Sequence, residues 1–405
     1  MIISVPISRA SGQVMAPPSK SMAHRRILAA ALAKGESVVS HLTPSEDILA
    51  TIDALTALGA RFVWEGDSLR VTGFDPAESR PTAPLPCREC GTTLRLMIPI
   101  ALLTGVSVTL TGSKTLFSRP LGVYESLCQD RGFLWQKGED FVTVEGRLTV
   151  GEYEVDAGVS SQFISGLAYA LSTLEGESHI RLTGRVESRS YIDLTVLALQ
   201  EAGVQIAWEG KNTLHIVGGT YQSKDTVVEG DWSNAAPYLA LAALGDPVTV
   251  EGLLSDSLQG DRVGKPYFAS LKEWHPVLSV KDCPDLAPML MAVGACLHGV
   301  TLTDTARLRF KESDRGAVMA EELQKCGVPV TLTDNQIVVE GGHLTSPQET
   351  LKGHNDHRIV MALTILLSRV GGRMDDAESV NKSYPTFFID MAGVGIECKD
   401  ATVNP

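Results

Sequence analysis

The sequence predicts an α/β protein of two lobes, each an inside-out assembly of three βαβαββ-type repeats with its helices enclosed by sheets, the fourth repeat being truncated. Three observations predict it. One pattern recurs six times along the 405 residues: small or polar residues open an apolar helix, a glycine turn ends it, and a β-branched strand follows. The first helix of each repeat is apolar almost all round, which suits an interior position. The second helix of most repeats is amphipathic and leads into two short strands.

The six openings are "SKSMAHRRILAAALAKGESVVSHL", "GTTLRLMIPIALLTGVSVTLTG", "SSQFISGLAYALSTLEGESHIRLTG", "SNAAPYLALAALGDPVTVEGL", "DLAPMLMAVGACLHGVTLTDT" and "DHRIVMALTILLSRVGGRMDDA". They start at Ser19, Gly91, Ser160, Ser233, Asp285 and Asp356, at spacings of 72, 69, 73, 52 and 71 residues. Ahead of the first, Pro17 and Pro18 hold the chain extended and lack backbone donors, so the helix begins after them with Ser19 or Ser21 as its cap. The second halves read as helix, strand, strand in "SEDILATIDALTALGARFVWEGDSLRVTG" and "ESDRGAVMAEELQKCGVPVTLTDNQIVVEGG". The fourth repeat is short, with "VGKPYFASLKEWHPVLSV" supplying one helix and one strand. Six units divide into two globules of three, and the charged, glycine-marked "VVEGDWSNAAP" suggests a crossing near residue 230. The strand "IISVPIS" precedes the first repeat helix and is expected to pair in the C-terminal globule. The expected lobes are therefore residues 18–229, and residues 1–17 with 230–405, joined by a double-crossover hinge.

Composition narrows the partners. With 48 acidic against 35 basic side chains, net charge −13, the chain lacks the broad positive field that nucleic acid or an anionic membrane rewards. No stretch approaches bilayer length and "MIISVPISRASGQ" does not read as a signal peptide, so the expectation is a cytoplasmic protein, and a monomer. Seven scattered cysteines fit reduced thiols. "CREC" has no second pair to complete a tetrahedral metal site, and Cys90, at a helix start, is expected to be somewhat acidic. There is no GxxxxGK[ST], no GxGxxG after a strand and no HExxH, while His24, His41, His275, His298 and His343 stand isolated and read as packing or surface residues. Neither metal nor cofactor is expected.

Polar residues gather instead at the helix starts and the loops facing them. Lys20, Ser21 and Arg25 mark the first repeat; Gly91, Arg95 and Arg119 the second; Ser160, Ser161, Gln162, Ser188, Arg189 and Tyr191 the third. The second lobe adds Asp285, then Lys311, Glu312 and Arg315 in "RFKESDRG", His357 and Arg358 in "HNDHRIV", and Lys382 in "VNKSYP". Taken singly, each reads as an ordinary cap or a solvated charge, and Asp285 as an N-cap before "LAPMLMA". Their recurrence at equivalent places in a repeat points to an anion trap within an acidic protein, because helix N-termini and cations both favour phosphate and carboxylate. Asp285 and Glu312, each near cations, are the candidate acid and base.

Together, "PPSKSMAHRR", "CGTTLR", "SRPLG", "DAGVSSQF", "SYID", "PDLAP", "RFKESDR", "NDHR" and "NKSYP" resemble the 5-enolpyruvylshikimate-3-phosphate synthase family in order and spacing over nearly the whole chain. The resemblance implies two lobes that close on substrate and transfer of the enolpyruvyl group of phosphoenolpyruvate to the 5-hydroxyl of shikimate 3-phosphate, with loss of phosphate. It implies that Lys20, Ser21, Arg25, Ser160, Ser161, Gln162, Ser188, Tyr191, Asp285 and Lys311 hold shikimate 3-phosphate. Lys20, Gly91, Arg119, Gln162, Arg315, Arg358 and Lys382 match the phosphoenolpyruvate clamp, and Asp285, Glu312 and Lys20 the proton carriers. Glyphosate is the implied inhibitor, since Gly91 is retained. The chain departs from the family at Glu89 and Cys90, where Asn and a small residue are common, and at Arg307, where Asn is frequent, so Arg307 is left outside the expected site. Arg189 and Ser190 replace a common Lys and Pro. Two rival readings are the related UDP-N-acetylglucosamine enolpyruvyltransferase, which a different Lys–Asn signature and a reactive loop cysteine would mark, and an anion-binding relative without turnover, which the presence of both Asp285 and Glu312 argues against.

Overall fold

A computed structural model describes residues 1–219 and 221–401. The chain divides into two compact units: Pro18–Glu229, and Met1–Pro17 with the chain from Gly230 onward. It passes from one to the other at 17–18 and again at 229–230. Each unit is mixed α/β, with apolar helices inside and short sheets around them. Among the described residues no helix is long and apolar enough to cross a membrane.

The unit Pro18–Glu229 carries three four-stranded sheets. The third shows the rule: Glu152–Asp156 runs parallel to Gly176–Thr183, which pairs antiparallel with Thr213–Gly218, and Gln205–Glu209 lies outside. A parallel first pair requires a crossover, and the apolar helix Ser161–Leu171 supplies it. The second sheet repeats the order with Leu85–Pro86, Val108–Thr111, Phe141–Glu145 and Leu134–Lys137. In the first sheet the leading strand comes from the far end of the unit: Thr226–Val227 lies parallel to Glu36–Ser40, with Thr226 opposite Val39.

The other unit repeats the pattern with the chain's own beginning as filler. Ile3–Val5 lies between Gly372–Met374 and Lys399–Asp400, antiparallel to both, so "IISVPIS" pairs where the sequence placed it. Gly12–Met15 runs parallel to Val248–Glu251 and leads the short fourth repeat. One expectation needs correction here. The strand at the end of "VGKPYFASLKEWHPVLSV", Val277–Ser279, pairs parallel with Val300–Thr303 and so leads the fifth repeat; the fourth keeps only its first strand, two helices and Val248–Glu251. Asp246 fixes the returning N-terminal segment, accepting from the Ala10 N–H at 2.9 Å and from Arg369 and Arg9 at 2.6 and 3.1 Å.

Four core helices start where small or polar caps predict. Ser19, Cys90, Ser160 and Asp356 cap Lys20–Leu32, Gly91–Ala101, Ser161–Leu171 and His357–Val370, each side chain accepting from a first-turn N–H. The other two start later. Helix Ala236–Ala243 begins beyond Ser233, and Ala287–Cys296 has Leu286 rather than Asp285 at its cap, without a side-chain cap bond. Asp285 is therefore not an N-cap.

One close helix approach lies in Pro18–Glu229. Pro99, inside Gly91–Ala101, has no N–H to give to the Arg95 carbonyl four residues earlier. The buried Tyr124 hydroxyl donates to that carbonyl at 2.8 Å, beside the Phe163 carbonyl at 2.9 Å. Gly166 lets helix Ser161–Leu171 come in against the same spot: a Cβ there would lie 2.4 Å from the Arg95 carbonyl oxygen and 2.6 Å from the Tyr124 hydroxyl. A methyl group at Gly166 must push the two helices apart. Gly166→Ala is expected to lower the stability of the protein by about 1–3 kcal/mol, read as a fall in the urea midpoint with unchanged slope.

Candidate active site

In Pro18–Glu229 four helix starts are joined by side chains. Lys20, in the first turn after the Ser19 cap, places its Nζ 2.7 Å from Asp47 Oδ2. Arg25 is buried one turn further on. Its Nη1 donates to the Ser21 carbonyl at 2.6 Å, its Nη2 to the Tyr191 carbonyl at 2.8 Å and its Nε to Thr195 Oγ1 at 2.9 Å. These three acceptors are neutral, so they fix the guanidinium without cancelling its charge. Burial lowers the pKa of Arg25 from its usual value, the direction expected of a desolvated cation. Ser188 stands in the left-handed region at φ 53°, at the cap of Arg189–Glu201, and its carbonyl accepts from the Tyr191 N–H. A serine in that region is strained by about 1 kcal/mol or more, which the surrounding bonds must offset.

At the start of helix Ser161–Leu171, Gln162 links two elements. Its Oε1 accepts from Arg95 Nη1 at 2.7 Å and its Nε2 donates to Thr92 Oγ1 at 2.8 Å, while its own N–H caps onto Ser160 Oγ. Arg119 comes in from the "SRPLG" loop. A Cβ on Gly91 would lie 3.0 Å from Arg119 Nη1 and 3.1 Å from Arg95 Nη1, so the missing side chain is what leaves room for two guanidinium groups there. Lys20, Ser21, Arg25, Gly91, Arg119, Ser160, Ser161, Gln162, Ser188 and Tyr191 thus all lie in this one unit, at its helix starts and adjoining loops.

Asp285 and Lys311 lie in the other unit, with Glu312, Arg315, Arg358 and Lys382. Arg315 is almost wholly buried and grips three carboxylates: Nε donates to Asp356 Oδ2 at 2.9 Å, Nη1 to Asp285 Oδ1 at 2.7 Å and Nη2 to Glu312 Oε2 at 2.7 Å. Lys311 Nζ lies 3.1 Å from Asp285 Oδ1, and Arg358 Nη2 lies 3.5 Å from Asp285 Oδ2. Arg358 is held from behind by Asn234 Oδ1 at 2.9 Å. Lys382 Nζ donates to the Asn355 carbonyl and Oδ1 at 2.7 and 2.8 Å, next to Asp356 in the same loop.

The charges set the proton affinities. Burial alone would raise the Asp285 carboxyl, but Lys311, Arg315 and Arg358 outweigh it and hold it well below the usual carboxylate range. Burial lowers Lys311, with Asp285 opposing and Arg315 reinforcing that direction. Burial would also lower Arg315, yet Asp356, Glu312 and Asp285 keep it well above its usual value. Cys90 corrects an expectation. It does cap a helix, but burial pushes its thiol up to about 12, and the Thr93 N–H and Lys20 only partly oppose this.

Several residues of these networks were missed or set aside in the sequence. Asp356 reads there as a helix cap, and it is one, accepting from the Arg358 N–H at 2.9 Å; nothing in "HNDHR" shows that its second oxygen takes Arg315. Nothing in the local sequence around Asp47, Thr195 and Asn234 names their partners, and only the fold brings them to Lys20, Arg25 and Arg358. Arg307, set aside in the sequence, is buried and close enough that its charge disfavours the Lys311 ammonium.

Comparison with known proteins agrees with this architecture. The family model described as EPSP synthase (3-phosphoshikimate 1-carboxyvinyltransferase) matches residues 5–266 and 267–391. The chain is 36% identical over 429 residues to the 3-phosphoshikimate 1-carboxyvinyltransferase of Clostridium kluyveri, covering 99% of each, and 34% identical over 419 residues to that of Clostridioides difficile, covering 96% of each. Among solved structures, EPSP synthase from Acinetobacter baumannii aligns with TM-score 0.78 at 23% identity over 98% of this chain and 99% of that one. The enolpyruvyl transferase NikO from Streptomyces tendae aligns with TM-score 0.74 at 15% identity over 98% of both chains, and these two likenesses speak for the fold. On the match along almost its full length, the chain belongs to the EPSP synthase (3-phosphoshikimate 1-carboxyvinyltransferase) family.

Proposed function

We propose that this chain transfers the enolpyruvyl group of phosphoenolpyruvate to the 5-hydroxyl of shikimate 3-phosphate, in the shikimate route to aromatic amino acids. Family membership supports the reaction, and one observation supports the residue roles: the Asp285 carboxylate lies 2.7 Å from Arg315, 3.1 Å from Lys311 and 3.5 Å from Arg358, cations that hold its pKa well below the usual range. Anionic substrate groups that engage Arg315 and Arg358 draw those cations away from Asp285, which raises its affinity for a proton when one must be accepted. The resting cluster around Asp285 is internally paired, so ligand anions exchange for protein carboxylates rather than meeting bare charge.

In this reading Lys20, Ser21, Arg25, Ser160, Ser161, Gln162, Ser188, Tyr191, Asp285 and Lys311 hold shikimate 3-phosphate. Arg25 suits its phosphate because its charge is positioned by neutral acceptors. Lys20, Gly91, Arg119, Gln162, Arg315, Arg358 and Lys382 hold phosphoenolpyruvate. The 5-hydroxyl oxygen bonds to C2 of phosphoenolpyruvate and gives up its proton while C3 gains one. The tetrahedral adduct then loses a proton from C3, the C2–O bond to phosphate breaks, and the double bond re-forms. Asp285, Glu312 and Lys20 carry these protons. The working form is a cytoplasmic monomer without cofactor, and glyphosate competes with phosphoenolpyruvate.

Phosphate release from phosphoenolpyruvate is expected to require shikimate 3-phosphate and to ignore UDP-N-acetylglucosamine; release without the acceptor contradicts the assignment. Asp285→Ala is expected to lower kcat about 10²- to 10⁴-fold while phosphoshikimate binding, measured by calorimetry, persists. Gly91→Ala places a methyl 3.0 Å from Arg119 Nη1, so the KM for phosphoenolpyruvate and the glyphosate concentration for half-inhibition should both rise. The depressed Asp285 pKa also has a sign in stability. Its ionised form favours the fold fully above the usual carboxylate pKa, and that contribution is lost as pH falls through the lower folded value. The stability gap between wild type and Asp285→Asn, measured in urea, is therefore expected to be constant near neutrality and to shrink below about pH 4.

A further inference from the structure

His24, Asp47 and Cys90 stand far apart in the sequence, and the fold buries them together beside Lys20. One ligand atom of each, an imidazole nitrogen, a carboxylate oxygen and the thiol sulfur, fall within 4.8 Å of one another. The imidazole is already oriented. His24 Nδ1 lies 2.7 Å from Thr51 Oγ1, which lies 2.7 Å from Thr93 Oγ1, so a hydroxyl relay holds one ring nitrogen, in the place where metal-bound histidines usually meet a carboxylate, carbonyl or water. The other nitrogen, Nε2, faces Cys90 Sγ at 4.0 Å. A tetrahedral zinc with bonds of about 2.3 Å to sulfur and 2.0–2.1 Å to nitrogen spans nearly that separation, and only a few tenths of an ångström need close.

We propose that His24 Nε2, Cys90 Sγ and an Asp47 carboxylate oxygen form a binding site for a thiophilic divalent cation, Zn²⁺ or Cd²⁺, whose occupation displaces Lys20 from Asp47. Burial, with Lys20 and Arg25 adding to it, holds His24 well below its usual value, so its ring is neutral and keeps a lone pair for a metal. Cys90 enters as a thiolate: one proton leaves the sulfur for solvent as the metal–sulfur bond forms, and the Lys20 ammonium stays protonated. The partly exposed side chains of Lys20 and Asp47, 14% and 12%, provide the way in. Among the described residues the remaining three-ligand group, Glu321, Glu322 and His354, has no sulfur.

The cation would take the Asp47 oxygen that Lys20 now uses, so the site is inhibitory. That consequence rests on the proposed role of Lys20; the binding does not. The test titrates the chelator-stripped full-length chain with Cd²⁺ alone and follows the thiolate-to-cadmium absorption band. The expected result is a band saturating at one equivalent, absent in Cys90→Ser and shifted to at least tenfold higher Cd²⁺ in His24→Gln. Serine offers the same cap at this helix start, and unchanged basal turnover of Cys90→Ser is the control that separates loss of the band from unfolding. No band, or the same band in Cys90→Ser, overturns the site. In a parallel assay Zn²⁺ should inhibit wild-type turnover at a concentration at least tenfold lower than it inhibits Cys90→Ser. Binding of Cd²⁺ as expected with turnover untouched by Zn²⁺ upholds the site and removes Lys20 from the reaction.

Discussion

One buried guanidinium orders the carboxylates of the unit formed by Met1–Pro17 and the chain from Gly230 onward. Arg315 holds Asp285, Glu312 and Asp356 at once, and its fork geometry dictates where each carboxylate stands. Asp356 spends its other contacts on the Arg358 N–H and the Ser313 hydroxyl, so one acid caps a helix, steadies a loop and anchors Arg315. Three carboxylates face Arg315, Lys311 and Arg358, with the buried Arg307 also near Lys311. Pairing is what lets Arg315, Lys311 and Asp285 stay buried, because the desolvation of each is offset by a partner at hydrogen-bond distance.

The two cation sets solve the same problem in opposite ways. Arg25 is positioned by two carbonyls and a hydroxyl, so its charge is left standing for an incoming anion. Arg315 is positioned by acids, so its charge becomes available only by exchange. The first arrangement leaves the guanidinium charge facing neutral acceptors, and the second ties the proton affinity of the acids to the cations beside them. Glycine makes the third contribution. At Gly91 the absent side chain admits Arg119 and Arg95, and at Gly166 it admits a helix backbone.

What could be read from the sequence followed local physics. Caps such as Ser19 and Ser160 announce helices because a small oxygen-bearing side chain ahead of an apolar run has few other uses. The repeat itself was legible because each unit must bury one apolar helix. Asp285, the candidate acid or base, also reads as a cap when taken singly, because acid before an apolar run is ambiguous; its actual partners come from positions 311, 315 and 358. The acidity expected of Cys90 failed because burial costs a thiolate more than one helix end returns. Strand Val277–Ser279 was attached to the wrong repeat, since a strand does not carry the identity of its neighbour. Two-residue strands such as Thr226–Val227 leave no periodicity at all and exist only through their pairing.

The borrowed strands have a consequence for biosynthesis. Everything the unit Pro18–Glu229 needs, including the closing strand Thr226–Val227, lies between its own ends, so this unit can complete itself as soon as that stretch has left the ribosome. Residues 3–5 and 12–15 are made earlier yet find their partners at 248–251, 372–374 and 399–400. They must wait, unpaired, while a whole globule folds behind them, and the order of maturation is thereby written into the topology: middle of the chain first, its two flanks together and last.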